Sequence, residues 1–203
     1  MAGNLIMARN PLENLGRYSV ILASHSPRRR ELLSMMAIDF DIANNIEVDE
    51  SYPENMALED VAGYLSYKKA YAYKKQMLPE QLIITADTTV IIDKEILGKP
   101  DTDEAAEEML RKISGKTHKV VTGVTLVTTQ RSVTFSVQSE VTFGDLTDEM
   151  IQYYVNRFHP TDKAGAYGVQ EWIGAVGIKE ISGSYYNVMG LPTHRLFQEL
   201  LKF

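Results

Sequence analysis

Apolar positions along the chain switch repeatedly between runs that suit buried strands and spacings that suit helices. Residues 18–23 (YSVILA) and 82–86 (LIITA) are short continuous apolar runs, the mark of strands covered on both faces. Between them, residues 24–27 turn into a helix predicted to reach about residue 37, with Ser26 at the N-cap and Pro27 at the first helical position. A second strand is expected within 40–46. After Pro53 a long helix is expected over roughly 57–76, with Val61, Leu65 and Ala72 at helical spacing. The run 82–86 is expected to end at Asp87-Thr88-Thr89, and residues 90–92 and 95–97 to form a hairpin turning at Asp93-Lys94. Asp101 with Glu104 has capping-box spacing and opens a helix that stops at Gly115. Residues 120–129 and 132–143, rich in Val, Thr and Phe, predict two antiparallel strands. A helix over 148–158 follows, then short strands and turns over 164–188. A closing helix spans 191–201, with Pro192 near its start.

Helices and strands that alternate early and give way to a hairpin imply an α/β fold with a mixed sheet. The length of 203 residues suits one domain, and no internal repeat is present. Residues 1–17 are mostly polar, include Pro11 and Gly16, and are expected to form a loose leader; residues 18–203 are expected to form a single domain, with two lobes around a cleft. The chain has no cysteine, which excludes disulfides, thiolate metal sites and cysteine nucleophiles and fits a reducing compartment. No secretory signal and no apolar run of membrane-spanning length is seen, so a cytoplasmic protein without a membrane partner is expected. A net charge of −6 argues against binding nucleic-acid polymers, though not against a small anion held by locally concentrated positive charge.

One stretch supplies that charge. In Ser24-His25-Ser26-Pro27-Arg28-Arg29-Arg30, three arginines occupy the first turn of a helix, where the dipole disfavours cations. A bound polyanion would compensate, with backbone N–H groups and guanidiniums aimed at it together. Arg28 and Arg29 each precede a core leucine by four residues, so they share the inward side, while Arg30 points elsewhere. The alternative is a solvated basic turn. Asp87, following a buried strand, stands where α/β sheets bind ligands and could hold Mg²⁺, serve as general base, or merely shape a turn. Pro100 keeps Lys99 extended and out of a helix, though an exposed loop lysine would look the same. Lys68 and Lys69 both fall near the Leu65–Ala72 stripe, and spacing does not choose between them. In the small-residue segment 162–170 (DKAGAYGVQ), Gln170 is either a surface residue of a tight turn or a base reader, its amide suiting a uracil or thymine edge.

Six blocks in order, LASHSPRRRELL (22–33), TADTTVII (85–92), LGKP (97–100), SGKTHKVVTGV (114–124), DKAGAYGVQ (162–170) and GSYYNVMGLP (183–192), resemble the Maf family of nucleotide pyrophosphatases from about residue 18 to the end. The resemblance implies an inosine-triphosphatase-like fold: an elongated mixed sheet with flanking helices and a deep central cleft, often in a homodimer. It implies Asp87 as proton acceptor, and Ser24, Arg28, Lys69 and Lys99 as phosphate-binding and catalytic positions, the Lys69-Ala70 step selecting Lys69 over Lys68. It implies Arg29, Thr88 and Gln170 as positions that distinguish substrates. The branch acting on 7-methyl-GTP typically has Trp after Ser-Pro and Gln after the aspartate; with Arg28, Thr88 and Gln170 this chain instead resembles the dTTP/UTP branch, which implies cleavage of dTTP or UTP to the monophosphate and pyrophosphate. A divalent cation, Mg²⁺ or Mn²⁺, is expected to bridge phosphate and Asp87, with Glu50 a weaker candidate. His25 departs from the pattern, standing where the family often has glycine or another small residue. A nucleotide-binding regulator of cell division without turnover is the competing reading; the intact set of Asp87, Lys69 and Lys99 argues against it.

Overall fold

The computed structural model describes residues 10–203. Seven strands form one mixed sheet: β1 (Ser19–Leu22), β2 (Asp41–Ile42), β3 (Gln81–Ile92), β4 (Glu95–Leu97), β5 (Thr117–Val127), β6 (Ser132–Phe143) and β7 (Ile178–Ser182). The order is β2-β1-β3-β5-β6-β7, with β4 added to β3. The β2-β1-β3 pairs are parallel and all the rest antiparallel. Among the described residues, seven α-helices accompany the sheet: α1 (Pro27–Met35), α2 (Leu58–Lys74), α3 (Asp103–Ile113), α4 (Asp148–Phe158), α5 (Trp172–Gly177), α6 (Tyr185–Met189) and α7 (Thr193–Leu200).

The alternation of β3 sorts the interior into two sides. Its even positions Leu82, Ile84, Ala86, Val90 and Ile92 join the main core with Leu32 and Leu33 of α1, Leu110 of α3, Tyr154 of α4 and Leu196 of α7. Its odd positions face α2, where Ile83 packs with Ala70 and Ile91 with Ala62. Helix α2 lies unusually close to the sheet. A Cβ added at Gly123 of β5 would stand 2.3 Å from the Gly63 nitrogen and 2.4 Å from the Ala62 carbonyl, so the crossing needs glycine. One turn on, the Ser66 hydroxyl donates to Thr125 Oγ1 at 3.0 Å while Thr85 Oγ1 donates to the Ser66 carbonyl at 2.8 Å, fixing the helix in register with the strands.

One edge of β3 is only partly covered. β1 pairs with residues 81–84 and β4 with residues 90–92 on that edge, while β5 runs along the other from Ile83 to Ile91. Residues 85–89 therefore border a notch between the end of β1 and the start of the β3–β4 hairpin. The hairpin closes tightly because Asp93 (φ +49°) and Lys94 (φ +66°) both adopt the left-handed conformation that two-residue turns require.

Several expectations need correction. The strand expected to stop at Ala86 continues through Asp87, Thr88 and Thr89, because β5 pairs with each of them. The strand expected over 40–46 shrinks to Asp41–Ile42, since β1 ends at Leu22 and offers no further partner. Helix α1 stops at Met35, where Ala37 turns left-handed (φ +54°). Thr102, not Asp101, caps α3, its hydroxyl accepting the Ala105 N–H. Residues 164–188 form mainly short helices, with β7 as their one strand. Part of the expected loose leader is docked: Leu12 and Leu15 are buried, Asn14 donates to the Leu200 carbonyl at 2.8 Å, and Arg17 donates to the Phe203 carbonyl. Residues 1–9 lie outside the described residues. Among the described residues, no helix is long and apolar enough to cross a membrane.

Candidate active site

The notch in the sheet opens into a cleft of about 810 Å³. Its wall includes all nine residues singled out from sequence: Ser24, Arg28, Arg29, Glu50, Lys69, Asp87, Thr88, Lys99 and Gln170. They arrive from separate elements. The β1–α1 turn brings Ser24, Arg28 and Arg29, α2 brings Lys69, and the notch-facing part of β3 brings Asp87 and Thr88. Lys99 follows β4, and Gln170 belongs to the small-residue loop before α5. Arg30 is not part of this wall, as the helical phase required; His25 is.

Asp87 occupies an odd position of β3 and so looks toward α2. Because the Gly63–Gly123 crossing brings α2 close, Lys69 Nζ reaches Asp87 Oδ1 at 2.5 Å and Glu50 Oε1 at 2.8 Å. The Asp87 side chain is 16% exposed and that of Glu50 62%, so Asp87 is the inner carboxylate and Glu50 the solvent-facing one. The Lys69 hydrogen bond holds Glu50 below its ordinary pKa despite partial burial. Lys68, the alternative left open by spacing, points away: it lies 3.1 Å from Asp49 and donates to the Ser51 carbonyl at 2.8 Å.

Thr88, one residue on, looks to the opposite face. Its hydroxyl lies 3.0 Å from Arg29 Nη2 and 2.9 Å from Thr122 Oγ1. Arg29 Nε donates to the Gly190 carbonyl at 2.9 Å and Nη1 to Ser24 Oγ at 3.4 Å, so the guanidinium spans three segments of chain. Burial pushes Arg29 below its ordinary pKa, and the charge of Asp87 acts in the opposite direction. The acid and the guanidinium thus sense each other across the strand that separates their faces. Arg28 makes a different choice, donating to Asp162 Oδ2 at 2.9 Å. Burial works against Asp162, but hydrogen bonds from Lys163 and Arg28 prevail and hold its pKa below the ordinary value. The Ser26 hydroxyl accepts from the Arg29 N–H at 3.4 Å, and no acidic side chain occupies the first turn of α1. That helix start therefore stays available to an anion.

Divalent metal can be tested against these side chains. Among the described residues no group of three or more His, Asp or Glu side chains could hold a metal by itself. The cleft instead offers two carboxylates, Asp87 and Glu50, facing one cation. Two hard oxygen donors suit Mg²⁺, which takes one or two protein carboxylates and completes its shell with substrate phosphates and water.

Sequence reasoning missed part of the cleft. Asn45, Val48 and Tyr52 line it from the loop after β2, which Tyr73 of α2 ties down by donating to the Asn44 carbonyl at 3.0 Å. Asp162 and Lys163 also line it. A lysine among the small residues of DKAGAYGVQ was the available signal for Lys163; no pattern announced the loop.

The Maf-like protein family matches residues 19–203. The dTTP/UTP pyrophosphatase of Bacteroides thetaiotaomicron is 52% identical over 191 residues, covering 94% of this chain and 99% of that protein. That of Porphyromonas gingivalis strain W83 is 50% identical over 194 residues, covering 95% and 98%. Among solved structures, a nucleoside-triphosphatase / dITP/XTP pyrophosphatase from Mycobacterium abscessus overlaps with a TM-score of 0.38 at 14% identity, over 63% of this chain and 75% of that one. The extent of the family match and the identity to near full-length relatives give one conclusion: this chain belongs to the Maf-like protein family.

Proposed function

We propose that this protein hydrolyses dTTP and UTP to the nucleoside monophosphate and pyrophosphate, in the cytoplasm, where such triphosphates are used. The observation that carries the reading is Asp87: an inner carboxylate on Lys69, in a cleft whose other wall is the arginine-bearing start of α1. Relatives at about half identity that carry the name dTTP/UTP pyrophosphatase support the substrate class.

The triphosphate lies along the cleft, its oxygens accepting from the Arg28 guanidinium and from the Arg28 N–H, the one first-turn amide of α1 that neither proline nor the Ser26 cap removes. Arg28 exchanges Asp162 for phosphate as it does so. Asp87 takes a proton from a water molecule whose oxygen attacks the α-phosphorus in line. The bond from that phosphorus to the bridging oxygen breaks, and pyrophosphate leaves with the electron pair. Lys69 and Lys99 neutralise charge that grows on the phosphates, where fixed charges are worth most. Asp87 and Glu50 would hold a divalent metal ion, which when bound supplies further neutralisation of phosphate charge. Thr88 and Arg29 shape the far side of the pocket, and Gln170 presents its amide to the base.

Purified protein incubated with UTP, dTTP, GTP and modified pyrimidine triphosphates, with and without Mg²⁺, tests the reading. The expected result is equal release of monophosphate and pyrophosphate, fastest from UTP and dTTP. Tight nucleotide binding without pyrophosphate release would reject it and favour a regulatory binder.

A further inference from the structure

The wall that carries Gln170 is braced by side chains that the scheme above leaves unused. The backbone of this wall turns left-handed twice in succession, at Gly165 (φ +70°) and Ala166 (φ +61°), and the second is a conformation that alanine rarely adopts. The Lys163 side chain, only 9% exposed, stands 2.6 Å from Asp162 Oδ1 and 3.1 Å from Glu171 Oε1. The second Glu171 oxygen accepts from the hydroxyl of Tyr154, a fully buried residue of α4. That same phenolic oxygen accepts the N–H of Gly168 at 3.1 Å. Burial, then the Glu171 carboxylate, push the Tyr154 hydroxyl above its ordinary pKa, so it remains a donor.

Glycines make the bracing fit. A Cβ at Gly168 would lie 2.7 Å from the Glu171 carboxyl carbon, so the carboxylate can rest against the loop only because that position is bare. From the other side, a Cβ at Gly174 of α5 would lie 2.1 Å from the Val169 carbonyl oxygen. Gly168 and Val169 are buried between these supports, and Gln170 is the residue left exposed on the cleft. A buried ammonium–carboxylate pair is a poor device for stability alone, since apolar residues of similar volume often do as well or better. Its value lies in the geometry it enforces.

We propose that Tyr154, Glu171 and Lys163 are positioning residues for base selection: they fix Gly168 and thereby the direction in which Gln170 offers its amide to a pyrimidine. The proposal rests on the reading of Gln170 as the residue that meets the base.

The experiment compares kcat/KM for UTP and GTP in Tyr154→Phe, Glu171→Gln, Gln170→Ala and the Tyr154→Phe/Gln170→Ala double variant, with thermal midpoints recorded alongside. Each single change is expected to lower the UTP-to-GTP ratio by about tenfold, the scale on which pocket contacts discriminate similar substrates. The double variant should fall no further than Gln170→Ala, because the two changes act through one side chain. Should Tyr154→Phe fail to fold, Glu171→Gln, which keeps the shape of the side chain, carries the test through the same ratio and its own double variant with Gln170→Ala. An altered ratio in Gln170→Ala, with an unaltered one in the positioning variants, overturns this proposal and leaves base reading intact. An unaltered ratio in Gln170→Ala overturns both. Additive losses in the double variants would overturn the route through Gln170.

Discussion

Asp87 and Thr88 are neighbours in one strand, yet they open onto two differently built sites. On the α2 side, Asp87 and Glu50 share the single ammonium of Lys69, two negative charges to one positive, with Glu50 largely in solvent. On the other side, Arg29 is committed to three protein partners, Gly190, Thr88 and Ser24, and Thr88 is committed onward to Thr122. The first arrangement can exchange carboxylates cheaply, because removing either one leaves Lys69 paired with the other. The second is cross-linked into the core, where an unmet donor or acceptor is expensive. In the proposed scheme, the side chains that would handle reacting charge thus sit in the exchangeable network, and those that would set the shape of the pocket sit in the fixed one.

The contrast breaks first at Asp87. Asp87→Asn should reduce pyrophosphate release by about 100-fold or more while shifting the thermal midpoint little, since Lys69 keeps Glu50. Near-normal turnover in this variant would remove Asp87 from the chemistry. The opposite pattern is expected at Arg29. Lysine cannot span the three acceptors as the planar fork does, so Arg29→Lys should lose about 2 kcal/mol of stability in urea titration. If Arg29→Lys left stability unchanged and Asp87→Asn lowered it, the division between fixed and exchangeable networks would be reversed.

The smallest expected effect concerns pH. Burial lowers the pKa of His118, an odd-one-out imidazole beneath the fixed side, from 6.5 to about 4. Its Nε2 lies 2.7 Å from the hydroxyl of Tyr167, a residue of the cleft wall, and its Nδ1 has no hydrogen-bond partner among the described residues. The unfolded chain binds the proton more readily, so this contribution is complete well above pH 6.5 and is lost as pH falls toward 4. Between pH 6.5 and about 5.5 the loss amounts to about 1 kcal/mol. His118→Gln should flatten that part of the stability profile, and an unchanged slope would assign it to other groups.

Much of this was legible in the chain. Arg28 and Arg29 share the side of Leu32 and Leu33 because a helical repeat leaves no alternative, and Ser26-Pro27 marks the helix start by local chemistry alone. Asp87 was legible as a residue but not as a place. The apolar run ends at Ala86, and only the pairing of Asp87 with Gly123 and Thr88 with Thr122 carries the strand onward. The choice between Lys68 and Lys69 was likewise closed to spacing, because it depends on the depth at which α2 crosses β5. Least legible was the Lys163–Glu171–Tyr154 brace, whose members pack polar groups into a region that periodicity reads as core and turn.

The missing stretch of neighbour beside residues 85–89 alters what a pleated strand can do. Ordinarily its consecutive side chains never serve the same guest, because a continuous sheet is a partition and each looks into its own room. Here the partition has a doorway, and the cleft includes side chains from both rooms. A molecule lodged on that threshold would meet reagent and gauge from adjacent links of one chain, fixed to each other by covalent geometry and not by packing. Insertions or slips in the β3–β4 hairpin would narrow or widen the doorway itself, so substrate choice could drift in evolution without a single change to the residues that frame it.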